Sequence, residues 1–377
     1  MEKPKHLKRL KKYYVPFFIV CILSIPFLVW ELQQPKFIHA VIVDKTVPNQ
    51  TYREHKGFMW VLNNLKYFNR QTSGAFQYDQ DYYGFFPLDD HNYDIKDLPD
   101  TVEGVDLIYL VDTYGVFTDD FDRNNINGNR SDLIYGGTDM EDIKFIKHSM
   151  NEKTVLVGEF NVLESPTGEK ARAELESMFQ VKWSGWIGRY FIDLSSKNTE
   201  IPSWLRDNYK RQYQKEWDFT GPGFALVKSD DTVIILQQGK EVGNGLNRIV
   251  FTPEALKELN VRNNIRYYYW FDIIENTGDS EVLANNVLDL TPAGEQLLQQ
   301  YGLKGTFPAV VRSKSPYHSF YLAGDYSDTA RTPSYWNMAF LAESRKWLSI
   351  DTEGDSAGFY WKVYNPLIGD ILKEVPS

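Results

Sequence analysis

The residues of this chain best suited to chemistry are carboxylates placed where apolar runs end. Asp112 closes VDLIYLVD, Glu159 closes TVLVGE, and Asp325 follows HSFYLAG. Ligands of open α/β sheets bind beyond the carboxyl ends of the strands, which directs attention to these three positions. Glycoside hydrolysis needs two carboxyl groups facing one bond, one kept protonated and the other ionised. If the chain is an enzyme, Asp112, Glu159 and Asp325 are its catalytic candidates, and the reaction is hydrolysis or lyase cleavage of a glycan. Glu164 is a second choice, because its position before Ser165 also suits stabilisation of a helix N-terminus. Each acid has a plainer alternative role, since Asp and Asn commonly end strands by capping local backbone groups.

Aromatic residues make up 15% of the chain, with ten Trp and twenty-four Tyr, a density suited to stacking on the apolar faces of sugar rings. The run KWSGWIGRYF supplies Trp183, Trp186, Arg189 and Tyr190. Its ligand-binding candidates are Trp186, for stacking, and Arg189 and Tyr190 beside it. Tyr114 and Asn161 follow the first two acids, and His318 opens the last strand, completing the candidate set. Core packing is the alternative for every aromatic residue in a strand.

Metal and cofactor chemistry finds less support. Asp119, Asp120, Asp122, Asn124, Asn125, Asn127 and Gly128 resemble a calcium loop, but aligning Gly128 with the required glycine puts Arg123 at the first ligand position. Asp89-Asp90-His91 and the Asp351 to Asp355 stretch read as solvated loops. No HExxH, GxSxG, Walker loop or complete dinucleotide fingerprint occurs, and Gly243-Asn244-Gly245 lacks a third glycine. We therefore expect no cofactor and no metal.

The elements that must position these residues begin with a strand at 37–44 (FIHAVIVD) and a helix at 53–70. A strand at 105–112 follows, and Thr138-Asp139-Met140-Glu141 predicts a capping box opening a helix to about Met150. A strand at 154–160 then leads to Ser165-Pro166, a cap followed by proline, and a helix to Phe179. Near-continuous apolar strands between amphipathic helices predict an α/β fold with a mostly parallel sheet flanked by helices. The second half predicts antiparallel hairpin elaborations at 181–194 and 223–237, strands at 265–275 and 318–326, short helices after Thr252-Pro253 and Thr291-Pro292, and a terminal helix over 359–372 interrupted at Pro366.

The progression VIVDK, helix, DLIYLVD, then GGTDMEDIKFIKHSMNEKTVLVGEFN resembles the class I glutamine-amidotransferase-like fold, including its ThuA-like branch, over about residues 37–195. The Gly136-Gly137-Thr138 turn and the bend from Glu159 to Ser165 carry the resemblance. In those enzymes that bend presents a cysteine nucleophile. Here it reads Glu159-Phe160-Asn161-Val162, so the resemblance implies the fold without thiol amidotransferase activity, and His318 has no nucleophile to activate. Related noncatalytic domains accompany carbohydrate-active enzymes, which implies a sugar ligand.

The N-terminus predicts the location. Residues 1–12 carry Lys3, Lys5, Lys8, Arg9, Lys11 and Lys12 against Glu2, and Tyr13 to Trp30 is free of charge over eighteen residues. This reads as a cytoplasmic basic tail (1–12), a transmembrane signal anchor (13–30) and an extracytoplasmic α/β domain (37–377), with a subdivision near 195–220 as an alternative. The first twelve residues hold six of the 41 basic and one of the 51 acidic residues, leaving 35 against 50 and a net charge of −15. That balance disfavours nucleic acid. Cys21, the one cysteine, lies in the apolar run, so the remainder has no disulfide or thiolate site. The expected protein is a bacterial, membrane-anchored binder of cell-envelope carbohydrate. The alternatives are a carboxylate-dependent glycan hydrolase or lyase, and a noncatalytic assembly factor for envelope synthesis proteins.

Overall fold

A computed structural model describes residues 5–88, 92–121, 129–328, 337–354 and 357–376. Asp89-Asp90-His91, residues 122–128 of the calcium-like loop and Asp355 lie outside the described residues.

The chain opens with the 27-residue helix α1 (Lys5–Glu31). Among the described residues no helix is both long and apolar enough to cross a membrane, which corrects the expected transmembrane helix. The first turns of α1 are basic, and Pro16, Pro26, Tyr13, Tyr14 and Ser24 dilute its apolar run. Its last turn joins the body: the Trp30 indole donates to the carbonyl of Asn64 at 2.8 Å, and Lys66 lies 4.3 Å from the Trp30 ring centre.

Strand β1 (Ala40–Asp44) precedes helix α2 (Arg53–Asn64), and β2 (Tyr83–Pro87) and β3 (Tyr93–Lys96) form an edge hairpin. After β4 (Leu107–Asp112), helix α3 (Met140–Ser149) leads to β5 (Val155–Glu159), and helix α4 (Glu169–Phe179) leads to the long strand β6 (Val181–Phe191). Helix α5 (Ser203–Tyr213) precedes β7 (Gly223–Lys228) and β8 (Val233–Gln237). The further strands of the two larger sheets are β9 (Val242–Phe251), β10 (Ile265–Arg266), β11 (Phe271–Asn276), β12 (Glu281–Leu290), β13 (Thr306–Ser313) and β14 (His318–Leu322). Helix α6 (Pro292–Gln300) joins β12 to β13, and α7 (Leu341–Leu348) follows β14. The chain ends with Ala357–Phe359, a π-helical turn at Tyr360–Tyr364 and Asn365–Ile371.

Ten strands form one sheet in the order β10-β9-β12-β13-β14-β5-β4-β1-β2-β3, and four form a second in the order β8-β7-β6-β11. The sheet is mixed rather than mostly parallel, which corrects the expected fold class. Only the block β14-β5-β4-β1-β2 is parallel; the other pairings in the large sheet, and all of those in the four-stranded sheet, are antiparallel. The β/α alternation of the first half does build parallel strands, but the second half extends that sheet with antiparallel strands and adds a separate four-stranded antiparallel sheet. Val242–Phe251 and Glu281–Leu290 are long and alternate in burial, the pattern of antiparallel strands.

Burial on both faces explains the apolar strands of the parallel block. Ile42, Tyr109 and Val157 point into one core, whereas Val41, Val43, Ile108, Leu110 and Leu156 point into the other, as the two-residue period of a strand requires.

Several local expectations are displaced. The capping box centres on Asp139 and Asp142 rather than Thr138 and Glu141. The next helix starts at Glu169 after a Gly168 cap, so Ser165-Pro166 is not its start. Residues 181–191 are one strand with a bulge between Trp183 and Trp186, where Gly185 has φ +85°, and not a hairpin. The hairpin at 223–237 and the Thr291 cap with its following proline form as the residues predict.

Candidate functional site

Three neighbouring parallel strands end on acids at one rim, and a fourth acid, Asp325, follows the end of the next strand, β14. Asp44 closes β1 and is in register with Asp112 of β4. Glu159 closes β5 and is paired with Leu322, the last residue of β14, three residues before Asp325. Two backbone bonds, from Asp272 N to Ala323 O at 3.2 Å and from Asp325 N to Trp270 O at 3.1 Å, seat the second sheet against this end. The register of the strands therefore brings together Asp112, Glu159 and Asp325.

Their environments differ. Asp112 accepts hydrogen bonds from Thr46 Oγ1 at 2.5 Å, Tyr114 N at 2.7 Å and Asn161 Nδ2 at 3.0 Å. Burial, then the neighbouring Asp44 charge, pushes its carboxyl up to about 7 against the opposing effect of these donors. Glu159 is fully enclosed, taking the hydroxyl of Tyr109 on one oxygen and the Ser327 hydroxyl (2.8 Å) and backbone N–H (3.1 Å) on the other. Burial raises it to about 8. Its donors and its 1% exposure make it a structural link between strands. Asp325 is half-buried, and no hydrogen bond to its carboxylate occurs among the described residues. Burial and the charges of Asp328, Asp112 and Glu159 hold its carboxyl well above the usual range, while Arg53 pulls the other way.

The structure adds residues to this rim. Helix α2 begins beside it with Arg53, Glu54 and His55. Arg53 bonds Asp328 at 3.1 Å, Glu54 at 3.0 Å and the Tyr269 hydroxyl at 3.2 Å. Burial and the charges of Asp328 and Asp44 push Glu54 upward, and burial does the same to Asp328. His55 bridges Asp44 and the carbonyl of Tyr78. On the far side, Asp272 takes the Tyr321 hydroxyl, and burial raises it to about 8. One signal for these was present in the sequence, since VIVD ends on Asp44 just as YLVD ends on Asp112. Arg53, Glu54 and Asp328 stand in polar contexts with no comparable sign.

A cleft of about 440 Å³ opens here, lined by Arg53, Arg189, Tyr268, Tyr269, Glu200 and Asp328 among others. Arg189 crosses the strand to pair with Glu200 and lies 4.8 Å from the Tyr269 ring centre and 5.6 Å from that of Trp270. Among the described residues no group of three His, Cys, Asp or Glu side chains is arranged to hold a metal ion.

Trp186, His318, Tyr114, Asn161 and Glu164 fall outside this cleft. Trp186 is buried in the core, edge-on to Tyr301 at 5.7 Å between ring centres. Tyr190 lines the cleft beside Arg189, although it is mostly buried, with its hydroxyl on Glu353 and its ring against Phe224 and Tyr268. His318 starts β14 and pairs with Glu374 at 2.8 Å, at the opposite end of the strand from Asp325. Tyr114, Asn161 and Glu164 line a second cleft of about 430 Å³ with Trp183 and Trp204. Asn161, with φ +69°, faces that cleft while donating to Asp112, so it stands between the two sites. Glu164 is 5% exposed, and neither carboxylate oxygen has a hydrogen-bond partner among the described residues.

No family model matches the chain, and no curated protein or solved structure matches it.

Proposed function

We propose that the protein binds cell-envelope carbohydrate in the cleft between Arg53, Arg189 and Tyr269. The observation that carries this reading is the combination at one mouth of guanidinium groups, half-buried aromatic rings and carboxylates. Tyr269 offers a face to a sugar ring, Glu200 and Asp328 accept hydrogen bonds from its hydroxyls, and Arg53 and Arg189 meet an anionic substituent. The order of β1, α2, β4, α3 and β5 supports a distant kinship with amidotransferase-like folds, which remains part of the proposal.

Asp325 favours a second reading, hydrolysis. A carboxyl pushed well above the usual range beside the Arg53–Asp328 ion pair has the character of a general acid, with Asp328 beside it as the candidate base or nucleophile.

The test is incubation of the full chain with polysaccharide extracted from bacterial envelopes, following retention and released fragments together. Retention that falls in Arg53→Ala and Arg189→Ala, without fragments, supports the binding reading. Fragments that vanish in Asp325→Asn select hydrolysis. Neither retention nor fragments sinks both and favours the assembly role.

A further inference from the structure

Helix α7 turns a row of large apolar side chains to the outside. Phe340, its left-handed N-cap with φ +67°, is 62% exposed, and Trp347, Leu348 and Ile350 are 72, 76 and 82% exposed. Positions 340, 344, 347 and 348 have the i, i+4, i+7, i+8 spacing of one helical face, while Leu341 is buried against the body. Isolated exposed apolar residues need no explanation, but four large ones in eleven positions form a patch.

Its surroundings indicate what covers it. The Ala339 N–H donates to the carbonyl of Pro26 in α1 at 3.0 Å, and Asn64, which holds Trp30 through its carbonyl, also donates to Met338 O at 3.3 Å. The patch is thus tied to the helix whose own Phe17, Phe18, Leu23 and Leu28 are exposed. Cations border it: the Arg262 guanidinium stands 3.8 Å from the Trp347 ring centre, and Arg345 and Lys346 occupy the same helix. Apolar side chains with a Trp, bordered by Arg and Lys, match a boundary between acyl chains and anionic headgroups.

We propose that α7 and the adjoining Ile350 form a docking surface for an anionic lipid bilayer, with Phe340, Trp347, Leu348 and Ile350 at the acyl boundary and Arg262, Arg345 and Lys346 at the headgroups. The inference stands on the patch and not on the carbohydrate reading. It orients the molecule, because α1 and α7 then meet lipid together.

The single cysteine makes the test direct. In full-length protein carrying Cys21→Ser, Ser344→Cys places an environment-sensitive dye within the apolar face, and Asp279→Cys places the same dye in an exposed turn as control. With phosphatidylglycerol vesicles the label at 344 shifts to the blue and the label at 279 does not. Adding Trp347→Ser and Leu348→Ser abolishes the shift, and phosphatidylcholine vesicles produce a smaller one. The proposal fails if the 344 label stays water-like, if both labels shift alike, or if neutral lipid is as effective. It also fails if the shift appears without lipid and grows with protein concentration, which would make a second copy the occupant.

Discussion

The imidazole of His55 lies between the Asp44 carboxylate, 2.5 Å from Nδ1, and the carbonyl of Tyr78, 2.7 Å from Nε2, with both side chains wholly buried. A carbonyl only accepts, so Nε2 carries a hydrogen and donates. The Asp44–His55 pair fixes the start of α2, and with it Arg53 and Glu54, against the end of β1. Removing one partner of such a buried pair typically costs ~3–5 kcal/mol, because the other is left uncompensated. We expect His55→Ala and Asp44→Asn each to destabilise the fold on that scale, read as a lower urea midpoint. An unchanged midpoint would remove the pair from the account of how the rim is built.

Stability should fall as pH rises through neutrality. Folding raises Asp112 to about 7 and Glu159 and Asp272 to about 8, far above their unfolded values of roughly 4. A carboxyl whose folded pKa is raised binds more protons folded than unfolded. Its favourable contribution is complete below the unfolded pKa and is lost as pH climbs from about 4 through the folded value. Each group contributes up to ~1.4 kcal/mol per pH unit within its window. Urea titrations at pH 5.5 and 8 should show the higher midpoint at the acidic pH, and Glu159→Gln should reduce the difference.

Two aromatic substitutions separate packing from binding. Trp186→Ala opens the core beside Tyr301 and should cost ~3–5 kcal/mol of stability. Tyr269→Ala removes a half-buried ring from the cleft mouth, so its stability loss should be the smaller while its polysaccharide retention drops. Thermal melts and retention assays on both proteins provide the comparison; equal stability losses would place Tyr269 in the core with Trp186.

Glu164 should be a residue whose neutralisation stabilises. Arg172 spends its donors on the carbonyls of Leu163 (2.6 Å) and Thr167 (3.1 Å), clamping the loop and leaving the Glu164 carboxylate unpartnered. A buried ionised group without a partner is costly, and an amide of the same shape less so. Glu164→Gln should raise stability by about 1 kcal/mol or more. A lower melting temperature in the variant would mean that the carboxylate is compensated in solution.

What the sequence determined by itself was local. The runs ending in Asp112 and Glu159 had to be buried strands, because four or five consecutive apolar residues bounded by polar ones have no other economical place, and the cap at Thr291 had to open a helix. The acids at the strand ends could be read for the same reason, since an apolar run marks its own boundary. Tertiary structure decided the rest. Whether β9, β12 and β13 form their own layer or extend the first sheet depends on edge pairing between distant segments, which no local period encodes. Trp186 and Tyr190 could not be told from surface aromatics, because a bulged strand at a sheet interface buries residues that alternation alone would leave exposed. Arg53, Glu54 and Asp328 joined the rim only because the start of α2 and the chain after β14 converge there. Their chemistry comes from that neighbourhood: the same carboxyl is an ordinary acid in water and a proton-holding one when enclosed among others.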